Sequence, residues 1–192
     1  MNPPLQILAR WLAEARKTEL PAPAAMTLAT VGTDGCPSAR VVSLKRLEKD
    51  GALTFTTGLW TRKAEEIRAN PQVAVVFHWP TLGRQVRVEG RAEIAERELA
   101  EELFAARPRG HQLQTLVSRQ GEAIGSIDPL RTQLEALRSE TEDKPISCPD
   151  DWGAIRLKPQ AIEFWTEGSD RLHDRLSYKT GPGGWHCSRL AP

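Results

Sequence analysis

The chain has 192 residues, of which 40% are hydrophobic and 27% charged, and its formal net charge is +1. These values are typical of one globular domain that is long enough to bury a sizeable core. The small net charge argues against nucleic acid or an anionic membrane as a general partner. No apolar run approaches the length of a membrane span, and we recognise no secretory leader.

The three cysteines, Cys36, Cys148 and Cys187, lack the spacing of a metal site. Their odd number favours reduced thiols, so we expect a cytoplasmic protein without a bound metal. Reactive thiols are rare, and we therefore expect packing or surface roles for all three.

The N-terminal segment has apolar residues at helical spacing, which predict an amphipathic helix over residues 4–17. The linker "LPAPAA" ends it. A β-rich block follows, in which alternating and β-branched residues are bounded by turn signals. Its predicted strands are 25–31, 38–47, 52–57, 72–79 and 84–94.

A helix interrupts this block after Thr61, a residue type that caps helices, and Asn70-Pro71 ends it. The second half of the chain predicts two helices, a loop over 142–151 and four further strands. The helices are 96–106 and 128–140, and the strands are 153–157, 160–167, 170–178 and 184–190. Together these elements predict a mainly β fold of the α+β kind, a small antiparallel β-barrel with peripheral helices.

Basic residues recur where an anion would bind. Arg62 and Lys63 open the helix after Thr61, and the N-terminus of a helix favours an anion through its dipole and free N–H groups. The alternative for this pair is a solvated surface. Arg107, Arg109 and His111 follow a later predicted helix, in the stretch "FAARPRGHQ". They would either surround an anion or form a basic loop, and the sequence pattern does not distinguish these two possibilities.

In the predicted strand 170–178, Arg171, His173 and Arg175 alternate with other residues. The two-residue period of a strand would place them on one face, which is either a binding face or an exposed one. No partner residue has the spacing of a metal ligand to His173, and the chain lacks the GxSxG motif of one hydrolase class.

Several stretches in order along the chain resemble the pyridoxine/pyridoxamine 5′-phosphate oxidases, which are homodimeric, FMN-binding split barrels. They run from about Ala25 to Pro192 and are "AMTLATV", "RVVSLK", "TRKAEEIRANP", "GRQVRVEGRAE", "ARPRGHQ", "VSRQ", "IEFW", "RLHDRL" and "RLAP". The resemblance implies one split-barrel domain over 1–192. Within it, residues 1–24 would form an N-terminal helix and linker, and residues 153–192 the C-terminal strands of the oxidases.

The resemblance also implies an activity, the oxidation of pyridoxamine or pyridoxine 5′-phosphate to pyridoxal 5′-phosphate. Dioxygen would be the acceptor and hydrogen peroxide the second product. FMN would lie at the interface of a homodimer and carry the redox step, while the protein supplies orientation and electrostatics.

The residues that would contact FMN by this resemblance are Arg40, Val41, Lys45, Thr56, Thr57, Arg62, Lys63, Gln85, Gln120, Trp165 and Arg175. Those that would contact the substrate are Lys45, Leu103, Arg107, His111, Arg171 and His173. Arg171 and His173 would be catalytic, because they would position the substrate over the flavin and stabilise developing charge.

The chain departs from the family pattern at several positions. Leu103 and His111 stand where the family usually has a tyrosine and a serine that bind the substrate phosphate, and Gly121 replaces a flavin-contacting serine. A neutral hydrogen bond contributes roughly 0.5–1.5 kcal/mol, so two lost hydroxyls would cost about tenfold or more in affinity. Lys45 and Arg107 would keep the stronger charged interactions.

These departures leave two alternatives open. One is a flavin oxidase of the same superfamily that acts on another substrate, such as a dihydrophenazine; the retained Lys45 argues against it. The other is a split barrel that binds FMN without turnover, and the match at "RLHDR" argues against that.

Overall fold

The computed structural model describes residues 3–18, 20–142 and 144–192. These residues form five α-helices and a sheet of nine strands. The helices are α1 Pro3–Ala15, α2 Arg62–Ala69, α3 Arg97–Ala105, α4 Arg109–Val117 and α5 Asp128–Glu140. The strands are β1 Ala25–Val31, β2 Pro37–Ser43, β3 Arg46–Leu47, β4 Leu53–Gly58, β5 Gln72–Trp79, β6 Arg84–Ile94, β7 Trp152–Thr166, β8 Asp174–Gly181 and β9 Gly184–Leu190.

The chain divides into two compact units. The first, which we name the sheet unit, comprises Met1–Phe55, Glu66–Glu93 and Arg156–Pro192. The second, the helical unit, comprises Thr56–Glu65 and Ile94–Ile155.

The strands follow the order β2-β1-β5-β6-β7-β4-β3, and β8 and β9 continue from β7. The neighbours whose register is defined pair antiparallel, as in β1 with β2 from Ala25↔Ser43 to Val31↔Pro37. The pairing of β7 with β8 places Trp165 opposite Arg175. The predicted mainly β fold, an antiparallel sheet accompanied by helices, is confirmed.

Alternation along the strands builds the core of the sheet unit. In β5, Val73, Val75, Phe77 and Trp79 are buried, while the residues between them are half-buried or exposed. Side chains of a strand point alternately to its two faces, so one face of β5 is apolar and the other lies nearer to solvent.

Helix α1 packs an apolar stripe into the same unit. Leu5, Leu8 and Leu12 are each at most 3% exposed, and burial of such a side chain stabilises the fold by roughly 1.5–3 kcal/mol. The Trp11 ring meets the Phe164 ring edge to face at 5.2 Å. This contact fixes α1 against β7.

Gly90 permits a close approach of two strands. A Cβ at this position of β6 would lie 2.1 Å from the carbonyl oxygen of Lys158 in β7. Only glycine fits there without a shift of the backbone.

The helical unit has a smaller apolar cluster. Phe104 of α3 and Trp152 at the start of β7 meet edge to face, with ring centroids 5.1 Å apart. Ala100, Leu103 and Ala154 complete the buried part of this cluster. Helix α3 is therefore held by its apolar face, as expected for an amphipathic helix.

Several predicted boundaries differ from the structure. The predicted strand 38–47 is interrupted at Leu44 and Lys45, and the strands 153–157 and 160–167 are one long strand, β7. The basic segment after α3 was predicted either to surround an anion or to form a loop, and no helix was expected there; Arg109–Val117 is helix α4. The predicted loop 142–151 is without regular structure where it is described, and Asp143 within it lies outside the described residues.

No helix in the described ranges combines the length and the apolarity that crossing a membrane requires.

Candidate functional site

A cavity of about 260 Å³ lies within the helical unit. Four residues that the sequence selected contribute to its wall, namely Thr56, Thr57, Arg107 and Gln120. Residues that were not selected complete it, and they include Trp60, Gln114, Thr115, Ser118 and Trp152. The wall is mainly polar, with two tryptophan rings.

Lys63 binds two other predicted residues, Thr57 and Gln120, by hydrogen bonds. Its side chain is 7% exposed, and Nζ donates to Thr57 Oγ1 at 3.2 Å and to Gln120 Oε1 at 3.1 Å. Thr61 stands at the N-cap position of α2, and its hydroxyl donates to the Gly58 carbonyl at 2.7 Å. Lys63 therefore places a buried positive charge in the first turn of α2.

Arg107 follows α3 and is half-buried. Its guanidinium lies 5.1 Å from the Trp152 ring and 5.8 Å from the Phe104 ring, and Nη1 donates to Thr115 Oγ1 at 2.7 Å. Burial lowers the pKa of this guanidinium, because removal from water disfavours the charged form. No carboxylate in the described part of the chain forms an ion pair with it. An anion in the cavity would offset that desolvation.

The other predicted residues of this unit differ in exposure. Arg62 is exposed at the start of α2, and His111 is exposed in the first turn of α4. Leu103 is 9% exposed and packs in the apolar cluster with Phe104 and Trp152. Its position explains why a leucine is tolerated there, and its contact with a substrate stays a prediction.

In the sheet unit, Arg40 belongs to a buried polar network. Its guanidinium donates to Thr30 Oγ1 at 2.5 Å, to Ser38 Oγ at 2.6 Å and to Glu66 Oε2 at 3.3 Å. Thr30, which is fully buried, donates to the same Glu66 oxygen at 2.5 Å. The carboxylate of Glu66 therefore fixes the direction of the Arg40 side chain.

Three further predicted residues of the sheet unit differ in their exposure. Val41 on β2 is 68% exposed. Lys45 is exposed between β2 and β3, and its backbone N–H donates to the Thr54 carbonyl at 2.8 Å. Gln85 is half-buried on β6 and faces His78 of β5 in the strand register.

The segment before β8 differs from the prediction. The expected strand 170–178 begins only at Asp174, and Ser169–Arg171 form a 3₁₀ turn. Asp170 and Arg171 have left-handed backbones, with φ of 53° and 61°. The prediction that Arg171, His173 and Arg175 share a strand face is therefore wrong, because Arg171 and His173 precede the strand.

The turn nevertheless positions His173. The Gly168 N–H donates to His173 Nδ1 at 3.3 Å, and the imidazole centroid lies 4.5 Å from the Trp165 ring. Trp165 and His173 are thus two predicted residues that the structure brings together.

Arg175 lies in a second cavity, of about 470 Å³, within the sheet unit. Its Nε donates to Glu163 Oε1 at 2.8 Å, and this bond raises the pKa of Arg175. Arg87 donates to the other carboxylate oxygen of Glu163 at 3.4 Å. Glu163 therefore orients Arg175 much as Glu66 orients Arg40.

Sequence reasoning missed the side chains that orient the predicted arginines, namely Glu66, Thr115 and Glu163. Thr115 stands eight residues after Arg107, a spacing that carries meaning only once α4 is recognised as a helix. The two glutamates had no signal in the sequence, because a charge on a helix or strand usually lies in solvent.

Comparison with known proteins identifies the family. A model described as "Pyridoxamine 5′-phosphate oxidase" matches residues 12–140, and one described as "Pyridoxine 5′-phosphate oxidase C-terminal dimerisation region" matches residues 152–192. The chain belongs to the pyridoxamine 5′-phosphate oxidase family. This is an enzyme family of FMN-dependent oxidoreductases, so the sequence-based recognition of the family and of the enzyme class is confirmed.

Relatives within the pyridoxamine 5′-phosphate oxidase family match nearly the whole chain. A pyridoxine/pyridoxamine 5′-phosphate oxidase of Rubrobacter xylanophilus is 44% identical over 189 residues, which cover 98% of this chain and 87% of that protein. One from Cupriavidus necator is 43% identical over 190 residues, with coverage of 98% and 89%.

Solved structures establish the split-barrel fold of this family member. PhzG from Burkholderia lata, in complex with tetrahydrophenazine-1-carboxylic acid, has a TM-score of 0.92 at 28% identity and covers 98% of this chain and 92% of its own. An FMN-binding, pyridoxamine 5′-phosphate oxidase-related protein from Nostoc punctiforme has a TM-score of 0.82 at 18% identity, with coverage of 100% and 99%.

Proposed function

We propose that this protein is an FMN-dependent oxidase that converts pyridoxamine or pyridoxine 5′-phosphate to pyridoxal 5′-phosphate, with dioxygen as acceptor. The observation that carries the proposal is the half-buried Arg107 in the cavity of the helical unit, a cation without a carboxylate partner among the described residues. A phosphate monoester supplies the negative charge and the acceptor oxygens that such a guanidinium binds best.

The residues present fit FMN. Lys63, Thr57 and Gln120 gather an ammonium group, a hydroxyl group and an amide at one place, next to the first turn of α2. Cationic and neutral donors near a helix N-terminus favour a phosphate-bearing ligand. When bound, FMN would supply the two-electron redox chemistry of the reaction, which amino-acid side chains do not provide.

His173 would act as a hydrogen-bond donor to the substrate. Because Nδ1 accepts from the Gly168 N–H, the proton of the neutral ring resides on Nε2. The adjacent Trp165 ring restricts rotation of the imidazole. Arg171, exposed on the left-handed turn, would add a positive charge beside the substrate.

The test is turnover by the purified protein. FMN-loaded protein should form pyridoxal 5′-phosphate and hydrogen peroxide from pyridoxamine 5′-phosphate, from pyridoxine 5′-phosphate or from both. Absence of the aldehyde and of peroxide with both vitamers would refute this substrate assignment.

A second candidate substrate follows from the similarity to PhzG of Burkholderia lata, whose structure contains tetrahydrophenazine-1-carboxylic acid. Arg107 would pair with a carboxylate as well as with a phosphate. Competition separates the two: inhibition by low concentrations of pyridoxal 5′-phosphate supports the vitamer oxidase, and inhibition only by phenazine carboxylates supports the second candidate.

The protein would act as a homodimer with FMN at the interface. The match of residues 152–192 to a dimerisation region supports this arrangement. Light scattering of the purified protein should give twice the mass of one 21.3 kDa chain, and a monomer that retains full activity would refute it.

A further inference from the structure

Among the residues that the structure describes, Arg107 is oriented by one side-chain hydrogen bond. Nη1 donates to Thr115 Oγ1 at 2.7 Å, and the guanidinium packs over Trp152 at 5.1 Å. The ring contact limits how far the planar group can tilt, but it does not fix rotation within the plane. The bond to Thr115 supplies that missing constraint, and Thr115 lines the same cavity.

The Thr115 hydroxyl is itself held. It donates to the backbone carbonyl of His111, four residues earlier on α4, at 2.9 Å. A hydroxyl has one proton, so its oxygen lone pairs face the arginine and its donor is already used. Thr115 therefore acts on a ligand through Arg107 and not through a bond of its own.

The two positions where the family pattern has phosphate-binding hydroxyls do not supply them here. Leu103 packs in the apolar cluster, and His111 is exposed and contributes its backbone carbonyl to Thr115. Thr115, in the second turn of α4, supplies the polar support of Arg107.

We propose that Thr115 is a positioning residue for substrate binding: it holds Arg107 in the orientation that grips the phosphate monoester, and so compensates for the hydroxyls absent at Leu103 and His111. The inference rests on the proposed function, which makes the ligand of Arg107 a substrate phosphate. A bond to a charged group is stronger than a neutral one, so its loss should weaken phosphate binding by about tenfold.

The primary variant is Thr115→Val, which removes the hydroxyl and keeps the side-chain shape. In FMN-loaded protein it should raise KM for pyridoxamine 5′-phosphate, and the equilibrium Kd for the product pyridoxal 5′-phosphate, by about tenfold, with kcat changed less than about threefold. Thr115→Ser should restore both constants, because serine keeps the hydroxyl. Thr115→Ala serves as a second hydroxyl-free variant if the valine variant loses FMN or unfolds.

Thr132 provides a matched control. It lies on α5, and its exposed hydroxyl makes the same bond to a carbonyl four residues earlier, that of Asp128, at 3.2 Å. Thr132→Val should leave KM and Kd unchanged. A purely helical role for such hydroxyls would make the two valine variants alike.

A double-mutant cycle with Arg107→Met tests whether Thr115 acts on phosphate binding through Arg107. In the methionine background, Thr115→Val should change Kd less than twofold, because no guanidinium remains to be held. An undiminished effect in that background, or an unchanged Kd in Thr115→Val alone, would overturn the inference. If the unaltered protein neither binds pyridoxal 5′-phosphate nor turns over the vitamers, the proposed function fails first.

Discussion

Replacement of Glu66 by glutamine should destabilise the folded protein by about 2 kcal/mol. The Glu66 side chain is 6% exposed, and one of its oxygens accepts from Arg40 at 3.3 Å and from Thr30 at 2.5 Å. Glutamine keeps an acceptor oxygen of similar shape, so both bonds can persist, but neither donor then meets a negative charge. A bond to a charged group contributes roughly 1.5–3 kcal/mol and a neutral one roughly 0.5–1.5, so the Thr30 bond loses about 1 kcal/mol. The Arg40 bond keeps its charged donor and loses the ion pair, which contributes up to about 1 kcal/mol more.

Urea unfolding at a fixed, saturating FMN concentration measures this loss, since bound flavin stabilises the native state by mass action. For a chain of this size, about 2 kcal/mol corresponds to a fall of about 4–8 °C in Tm. Glu65→Gln is the control, because the adjacent Glu65 is exposed and should change stability by less than about 0.5 kcal/mol. Equal stability of the two variants would refute the buried network around Arg40.

Three further outcomes follow from the structure. Gly168→Ala would place a Cβ 2.0 Å from the Leu172 carbonyl oxygen, so the turn should shift and the bond to His173 Nδ1 should weaken. We expect kcat to fall about 10–100-fold, because the imidazole is no longer held in place. The ¹⁵N NMR signals of the imidazole should report the loss of the tautomer preference. Lys63→Met should raise the Kd for FMN at least about tenfold, measured by flavin fluorescence, because a buried ammonium donor is lost. Burial raises the pKa of the Cys148 thiol, so less thiolate is present at about pH 8 and its alkylation, followed by mass spectrometry, should be slower than that of an exposed thiol.

Each of these predictions has a control within the chain. An added Cβ at Gly125 meets no atom within 4 Å, so Gly125→Ala should leave kcat unchanged, and equal activity of both alanine variants would contradict the role of the turn. Lys49→Met is the control for Lys63→Met, because Lys49 is exposed. An equal loss of FMN affinity in both variants would indicate a long-range effect of charge and would contradict a specific role of Lys63. Exposed Cys36 is the reference thiol, and faster modification of Cys148 would show that it is not shielded.

The strands that the sequence predicted best are those with strong local signals. β1, β5 and β6 have the bounds expected from alternating and β-branched residues between turn residues. β7 was predicted as two strands because Lys158 and Pro159 interrupt its apolar pattern. A proline is tolerated where its missing N–H is not needed by a neighbouring strand, and this depends on tertiary pairing.

Helix α4 was missed for a local reason. Its first turn contains Gly110 and follows Pro108, and both residue types favour a loop in isolation. Packing of Leu113, which is 1% exposed, stabilises the helix against that preference. The role of Thr115 could not be predicted without this helix.

The sequence predicted site residues that belong to a recognisable motif. It did not predict features that depend on burial and tertiary packing. Lys63 and Arg107 were selected from the sequence, and the structure gives them polar partners beside one cavity. The turn that contains Arg171 has left-handed backbones at non-glycine residues, a strained conformation that surrounding structure imposes and local propensity does not signal.

The most direct test of the account is anaerobic titration of the FMN-loaded protein with pyridoxamine 5′-phosphate. We predict that the visible flavin absorbance disappears as pyridoxal 5′-phosphate forms in equal amount, and that it returns when air is admitted. Flavin absorbance that persists through saturating concentrations of both phosphorylated vitamers would contradict the proposed oxidase function.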